Sequence, residues 1–110
     1  MSTKTLPAYM IGRLNVKDHD EYMSRYAMPV LRLFEAAGAE VLAASPQPDV
    51  LEGEWNSNWT VLIRFPSLDA ARRFYQSEEY APLLSLRINE LTDEGAALIV
   101  EGFDPAALGL

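Results

Sequence analysis

The stretch Trp59–Phe65, WTVLIRF, followed by Pro66 and Ser67, decides the fold of this sequence. Its side chains alternate between two faces, with aromatic and β-branched residues on one of them, which is the pattern of a half-buried β-strand. Pro66 ends the strand, and Ser67 offers a hydroxyl to the free amides of a helix that carries Asp69 in its first turn. The chain therefore passes directly from strand to helix.

The helical pattern after Ser67 is interrupted once. Ser77 offers a second cap, and Pro82 cannot continue a helix begun just after it. The sequence therefore predicts a short turn over residues 78–81 and a new helix from Pro82, because proline suits the first helical position. The predicted apolar side of that helix consists of Leu84, Ile88 and Leu91.

The N-terminal third predicts a strand and a long helix. Ala8–Leu14 is a strand with apolar residues on both faces. Asp18 caps a helix that runs to about Ala37. Pro29 lies inside this helix and should bend it, because proline has no amide to donate to the preceding turn. Gly38 supplies the left-handed stop.

Two further strands are predicted around a proline-rich interruption. One strand begins at Glu40–Ala44 and resumes at Val50–Glu54, and the intervening prolines place it at a sheet edge. Residues 55–58 have turn chemistry, joining this strand to Trp59–Phe65 as a hairpin. The last strand is predicted at Ala96–Phe103.

The order strand, helix, strand, strand, helix, strand is that of the ferredoxin-like fold, an α+β fold with a four-stranded antiparallel sheet and both helices on one face. Right-handed crossovers put the first and third strands in the centre. The sequence predicts one domain over residues 1–110, with a core at about 8–103 and a tail at 104–110. Because the first strand is apolar on both faces, we expect a second copy to bury the uncovered face, giving a homodimer.

The composition argues against several classes of function. Of 110 residues, 49% are hydrophobic and 23% charged, which is typical of a soluble globular domain. Its net charge of −7 repels phosphate backbones and anionic membranes, so neither nucleic acid nor membrane is a predicted partner. With no cysteine and one histidine, we predict no metal and no cofactor. The first seven residues resemble neither a signal peptide nor an anchor, which predicts a cytoplasmic protein.

Several segments resemble a known family. Val50–Trp55, Phe65–Ser67 and Phe74–Arg87 are similar to the family catalogued as domain of unknown function 1330. The resemblance runs from Tyr9 to about Gly102 and implies membership of the dimeric α+β barrel superfamily, in which ferredoxin-like protomers pair through their sheets. The family has no assigned chemistry.

Two positions depart from the family's pattern. Members usually carry a Gly-Gly-basic step after the first helix, whereas Gly38 is followed here by Ala39 and Glu40. Many also have an arginine just before the third strand, where this chain has Asn58. If those basic groups bind an anion in relatives, this protein need not bind the same one.

His19, Tyr22 and Tyr26 are candidate site residues because their spacing puts them on one helical face. A neutral imidazole beside two phenols can hold or deprotonate a phenolic or enolic ligand, with His19 as the candidate base. The alternative is a stripe at the edge of the core whose polar tips reach water, which such residues commonly form.

Tyr80 and Arg87 are a second candidate pair, close to two helical turns apart. Arg87 flanks an apolar stripe, where a partly buried guanidinium either binds a carboxylate or enolate or pairs with an internal acid such as Glu52. Glu52 is itself a candidate general base, a helix-cap partner, or an edge charge that discourages aggregation. Trp55 lies close by in sequence and completes the predicted ligand-binding set.

Three functions remain open on the sequence. The first is a dimer that binds a small aromatic ligand, or a carboxylate or enolate, between sheet and helices, anchored by Arg87. The second, by analogy of fold, is a cofactor-independent monooxygenase or isomerase. The third is a structural dimer without ligand. An enclosed pocket with a titratable group of perturbed pKa would favour the enzyme, and a sealed apolar core would favour the structural dimer.

Overall fold

The computed structural model describes residues 5–109. Residues 1–4, part of the predicted N-terminal stretch, and Leu110, the end of the predicted tail, lie outside this range. The strands are β1 Ala8–Val16, β2 Glu40–Ser45, β3 Trp59–Phe65 and β4 Thr92–Glu101. The helical segments are α1 His19–Tyr22, the π-helical segment π1 Met23–Ala27, α2 Met28–Ala36, α3 Leu68–Tyr75, α4 Ala81–Leu86, the π-helical segment π2 Arg87–Leu91 and a 3₁₀ turn at Pro105–Leu108.

The four strands form one antiparallel sheet in the order β2-β3-β1-β4. The predicted ferredoxin-like arrangement, with the first and third strands central, is confirmed. The strand ends differ from the prediction. β1 continues to Val16, and β4 begins at Thr92 rather than at Ala96, because it keeps pairing with β1 down to Val16 across a register shift.

The two faces of the sheet have different surroundings. Burial along β1 alternates strictly, and the side chains from Ala8 to Val16 at even positions are buried beneath the helices. This covered face meets the helices in an aromatic core, where the ring of Phe65 lies 6.2 Å from that of Phe34 and 5.4 Å from that of Phe74. The residues at odd positions of β1 are only half-buried and lie on the opposite, open face.

The open face carries an apolar row across three strands. Ile11 of β1 pairs with Leu62 of β3 on one side and with Leu98 of β4 on the other, so the three side chains lie next to one another. Leu98 is 51% exposed. The chain is 17 Å thick along its shortest axis, which fits one sheet and one layer of helices.

The first helical region is one run of three segments, α1, π1 and α2. It begins as predicted, with the Asp18 carboxylate accepting the amide of Glu21 at 3.0 Å. The amide of Met28 then donates to the carbonyl of Met23, five residues back, which is a π-helical bond. Pro29, which has no amide, follows at the start of α2. The bend predicted at Pro29 stays a prediction, and the structure has a π segment just before this residue.

The second helical region also ends in a π segment. Ser67 caps α3 through the amide of Ala70, and α4 begins at Ala81, one residue before the predicted Pro82. The predicted apolar side is wrong at Ile88, which is 52% exposed, while Arg87 is buried. Arg87 was predicted beside the stripe that contains Leu84, and the structure turns it inward in place of Ile88.

The predicted resumption of the second strand at Val50–Glu54 is wrong. Residues 46–58 form a loop without strand structure, and Leu51 is 88% exposed. Pro46 and Pro48 each remove a backbone donor, so the segment cannot continue the ladder with β3. Its C-terminal end is held on the open-face side, where the Arg13 guanidinium donates to the carbonyl of Asn56 at 2.6 Å.

Candidate functional site

A cavity of about 280 Å³ lies between the covered face and the helices. Its lining comes from all four strands, from both helical regions and from both π segments. The lining side chains are almost all apolar or aromatic, among them Met10, Leu14, Val30, Phe34, Val41, Trp59 and Ile63. At one end the rim includes Met23, Leu31 and Val41, each more than one-third exposed, so the cavity opens between the first helical run and the edge strand β2.

Arg87 is the only charged side chain among the described residues that line the cavity. It is 8% exposed. The segment π2 fixes its backbone, because the Arg87 carbonyl accepts from both the amide and the hydroxyl of Thr92. Its guanidinium carbon lies 5.9 Å from the centre of the Tyr26 ring, a cation–π distance. The π segment thus holds a cation in an apolar wall.

The environment of Arg87 keeps it charged. Burial by itself lowers the pKa of the guanidinium, but the neighbouring phenols of Tyr26, Tyr80 and Tyr75 together raise it above its usual value. Within residues 5–109, no carboxylate lies within ion-pair distance of Arg87. A buried arginine normally has an acidic partner. Arg87 therefore presents an uncompensated positive charge to the cavity.

Tyr22 and Tyr26, two phenols in the cavity wall with Arg87, are neutral hydrogen-bond donors at neutral pH. Burial raises the pKa of Tyr22 and of Tyr26 above the ordinary value for tyrosine, and the proximity of Tyr80 raises both further. The hydroxyl oxygens of Tyr26 and Tyr80 lie 2.6 Å apart, so one donates to the other and the second proton is free to bind elsewhere. Neutral phenols of this kind donate to an anion but do not remove a proton from a ligand.

The structure brings together four of the seven candidate residues. Tyr22, Tyr26, Tyr80 and Arg87 all line the cavity. Tyr22 and Tyr26 lie on one face of the first helical run, and Arg87 is buried on the second helical region. The side chains from the two regions meet at the cavity.

The other three candidates lie outside the cavity wall. Trp55 is exposed, and its indole N–H donates to Thr60 on the open face, opposite the cavity. His19 is exposed at the start of α1 and packs edge-on against Trp59, with ring centres 5.4 Å apart. Glu52 is exposed in the loop 46–58. Proximity in sequence to β3 does not bring Glu52 or Trp55 to its covered face.

The wall also contains residues that are not predicted from the sequence as part of a site, among them Trp59, Tyr75 and Gly12. Trp59 is predicted only as a strand residue and Tyr75 is not among the predicted site residues, although both line the cavity. Gly12 also lines it, and an added Cβ there would lie 2.9 Å from a methyl carbon of Val61. A glycine inside an otherwise apolar strand is a usable signal, because it marks a place where space is kept open.

Residues 7–103 match the family described as Domain of unknown function (DUF1330). The chain belongs to this family. The resemblance found from the sequence is therefore confirmed over nearly the same range. No curated protein matches the chain.

Solved structures share the fold of this DUF1330 protein at low sequence identity. A protein of unknown function from Rhodopseudomonas palustris is 15% identical, with a TM-score of 0.70 over 93% of this chain and 86% of that one. A dimeric ferredoxin-like protein of unknown function from Thermobifida fusca is 12% identical, with a TM-score of 0.59 over 93% and 96%. SnoaB, a cofactor-independent oxygenase from Streptomyces nogalater, is 16% identical, with a TM-score of 0.58 over 91% and 96%.

The two departures from the DUF1330 pattern have structural roles here. The side-chain amide of Asn58 bonds both backbone groups of Val16, donating to its carbonyl at 2.8 Å and accepting its amide at 2.7 Å. Asn58 thereby extends the pairing between β1 and β3. Glu40 forms an ion pair with Arg64 of the neighbouring strand at 3.3 Å. Neither residue lines the cavity.

Two findings concern metals and membranes. Among residues 5–109, no group of three or more His, Cys, Asp or Glu side chains is placed to hold a metal ion. No helix in the described part of the chain has the length and hydropathy needed to cross a membrane.

Proposed function

We propose that this protein is a homodimer that binds a small organic anion, an aromatic or otherwise apolar carboxylate or enolate, in the cavity between its sheet and its helices. The observation that carries the proposal is the environment of Arg87. The guanidinium is buried, charged and without a carboxylate partner among the described residues, and it faces a cavity that is otherwise apolar. A ligand carboxylate or enolate supplies the missing negative charge.

The apolar wall supports a ligand with an apolar body. A cavity of about 280 Å³ lies at the lower end of the size of small-molecule sites, which is suited to a compound of modest size. The rings of Tyr22, Tyr26 and Trp59 offer aromatic faces to it. A sealed core would favour a purely structural dimer, but this cavity opens to the surface beside Val41.

Binding is favoured over catalysis because the wall has no evident general base. No described residue that lines the cavity is a histidine, aspartate or glutamate. Burial raises the pKa of Tyr22 and of Tyr26 in the wall, which keeps these two phenols protonated. A cofactor-independent oxygenase such as SnoaB shares the fold, but a fold is shared by many unrelated activities. His19 and Glu52 stay candidates for catalysis only if a conformational change brings them to the ligand.

The proposed homodimer rests on the open face. Ile11, Leu62 and Leu98 form an apolar row there, and no described helix covers it. Exposed apolar patches of this kind commonly mark interfaces. The neighbour from Thermobifida fusca is described as dimeric. Size-exclusion chromatography with light scattering should give twice the chain mass of 12.3 kDa, and a monodisperse monomer would refute the dimer.

The anion site is tested with a matched pair of probes, 2-naphthoate and its neutral analogue 2-naphthamide. Titration calorimetry should show tighter binding of the carboxylate, because a hydrogen-bonded ion pair with Arg87 stabilises it by about 1.5–3 kcal/mol. Arg87→Met should weaken naphthoate binding by roughly ten- to a hundredfold and leave the amide little changed. Arg87→Lys should recover part of the loss, since it keeps the charge without the planar fork.

The control is Arg72→Met, because Arg72 is an exposed arginine on α3 that does not line the cavity. It changes the net charge by the same amount as Arg87→Met and should not alter binding. Equal affinity of naphthoate for the wild type and Arg87→Met would refute the anion site.

A further inference from the structure

A second pocket, of about 270 Å³, lies beside β4 at the edge of the sheet. It is lined by Met10, Tyr75 and three consecutive residues of β4, Ala97–Ile99. Met10, Tyr75 and Ala97 also line the cavity described above. The two spaces share a wall, so this second pocket, the β4 groove, continues the cavity towards the sheet edge.

The β4 groove lies close to the anion site. The ring centre of Tyr75, in the groove wall, is 5.7 Å from that of Tyr80. The Tyr80 hydroxyl is bonded to the Tyr26 hydroxyl, and the Tyr26 ring lies against Arg87. The Tyr80 ring therefore lies between Tyr75, which faces the groove, and the Tyr26–Arg87 pair of the proposed anion site.

Small residues leave the β4 end of the cavity open. Residues 93–98 of β4 are all exposed, so no described helix covers that part of the edge strand. Ala97, on the helix side of the sheet, has a side chain too short to close the gap. Because the cavity lining extends from Ala44 on β2 to Ala97 on β4, the site crosses three strand spacings, about 14 Å.

We propose that the ligand is an amphipathic anion whose unbranched apolar tail runs from Arg87 past Tyr75 into the β4 groove. The inference rests on the proposed function, because Arg87 fixes the polar end of the ligand. A compact aromatic acid would leave the β4 groove beside Tyr75 and Ala97 filled with water, whereas a tail displaces that water. The ligand class is thus a carboxylate or enolate with an alkyl extension.

The test is a series of 4-alkylbenzoates with straight chains from methyl to octyl, titrated against the full chain. The variant Trp55→Phe leaves Trp59, in the cavity wall, as the single tryptophan reporter of binding. Affinity should rise by about fourfold for each methylene that enters the groove, until the groove is full.

Two edge alanines give a matched pair that locates the tail. Ala97→Leu narrows the β4 end of the cavity, and Ala44→Leu narrows the β2 end; both alanines are exposed wall residues on edge strands. Ala97→Leu should remove most of the increase in affinity with alkyl chain length, while Ala44→Leu should retain that increase. Ala36→Leu, on the exposed side of α2 and outside the wall, is the control and should behave as the wild type. If Ala97→Leu fails to fold by circular dichroism, Ala97→Val serves in its place.

The outcomes separate this inference from the proposed function. A flat series in the wild type, with benzoate binding still dependent on Arg87, would overturn the tail and leave the anion site intact. A chain-length dependence that is lost in Ala44→Leu and kept in Ala97→Leu would also overturn it, because the tail would then lie at the β2 end. Binding that is independent of Arg87 would overturn both.

Discussion

The covered and open faces of the sheet are both built from apolar side chains, yet they meet different surroundings. On the covered face Phe65 is 0% exposed and packs against two aromatic rings. On the open face its strand neighbour Leu62 lies in the apolar row with Ile11 and Leu98, which no described helix covers. Strand alternation decides which residues share a face. What each face does depends on the packing partner that the rest of the chain provides.

The largest expected effect is a difference in the free energy of unfolding between substitutions on the two faces. Phe65→Ala should lower the free energy of unfolding by about 3–5 kcal/mol, because it leaves a cavity among Phe34 and Phe74. Leu62→Ala, on the same strand but the open face, should cost about 1 kcal/mol or less in dilute protein, where the dimer dissociates. Urea denaturation followed by circular dichroism measures both. A smaller cost for Phe65→Ala than for Leu62→Ala would reverse the assignment of the faces.

The next effect is on assembly. Leu62→Asp should convert the expected dimer to a 12.3 kDa species, because the carboxylate would be buried without a partner at the interface. Light scattering reads the mass directly, and Leu62→Met, which conserves volume and polarity, should stay dimeric. A Leu62→Asp protein that remains folded and dimeric would place the interface elsewhere.

An alkaline pH dependence tests the buried phenols of the covered face. Burial raises the pKa of Tyr22 and Tyr26 in the folded protein above their unfolded value of 10.0, so the folded state retains protons that the unfolded state releases. The contribution of these two tyrosines to the free energy of unfolding is therefore fully present below about pH 10. It falls as the pH rises above this value, by up to about 1.4 kcal/mol per pH unit for each tyrosine. Urea denaturation at neutral and alkaline pH measures the loss. The double variant Tyr22→Phe, Tyr26→Phe should lose less stability, and an unchanged alkaline profile in it would contradict the assignment.

The smallest effect concerns one hydrogen bond in the cavity wall. Tyr26→Phe removes the partner of the Tyr80 hydroxyl and should lower stability by about 1 kcal/mol. Tyr9→Phe, on the open face where the hydroxyl forms no bond among the described residues, is the matched control. Thermal unfolding of the two variants side by side shows whether the phenol pair contributes to stability. Equal melting temperatures would indicate that it does not.

Local signals were enough to predict the order of elements and the helix starts. Asp18 and Ser67 cap helices in the structure through the bonds that their short side chains predict. The central position of β1 and β3 follows from connection rules that need only the element order. The strand predicted at Val50–Glu54 is wrong because a strand depends on a partner as well as on local signals. The prolines before this segment break the ladder with β3.

The site was only partly predictable because side-chain direction depends on packing. Periodicity predicted Ile88 as part of the apolar stripe and Arg87 as a residue beside it, whereas in the structure Arg87 turns inward and Ile88 is exposed. Trp55 and Glu52 are near β3 in sequence, but the loop that carries them ends on the open-face side. Tyr22, Tyr26 and Tyr80 could be placed because helical spacing fixed the first two and a cap fixed the third.

The two π segments also affect how this chain should align with its relatives. A π turn contains one more residue than the α-helical turn it replaces. A relative that lacks either segment would therefore differ by a one-residue gap inside the helix, at Met23–Ala27 or Arg87–Leu91, rather than in a loop. An alignment that moves such a gap into the neighbouring loop would pair Arg87 or Tyr26 with the wrong residue, and would assign the cavity wall to side chains that face solvent.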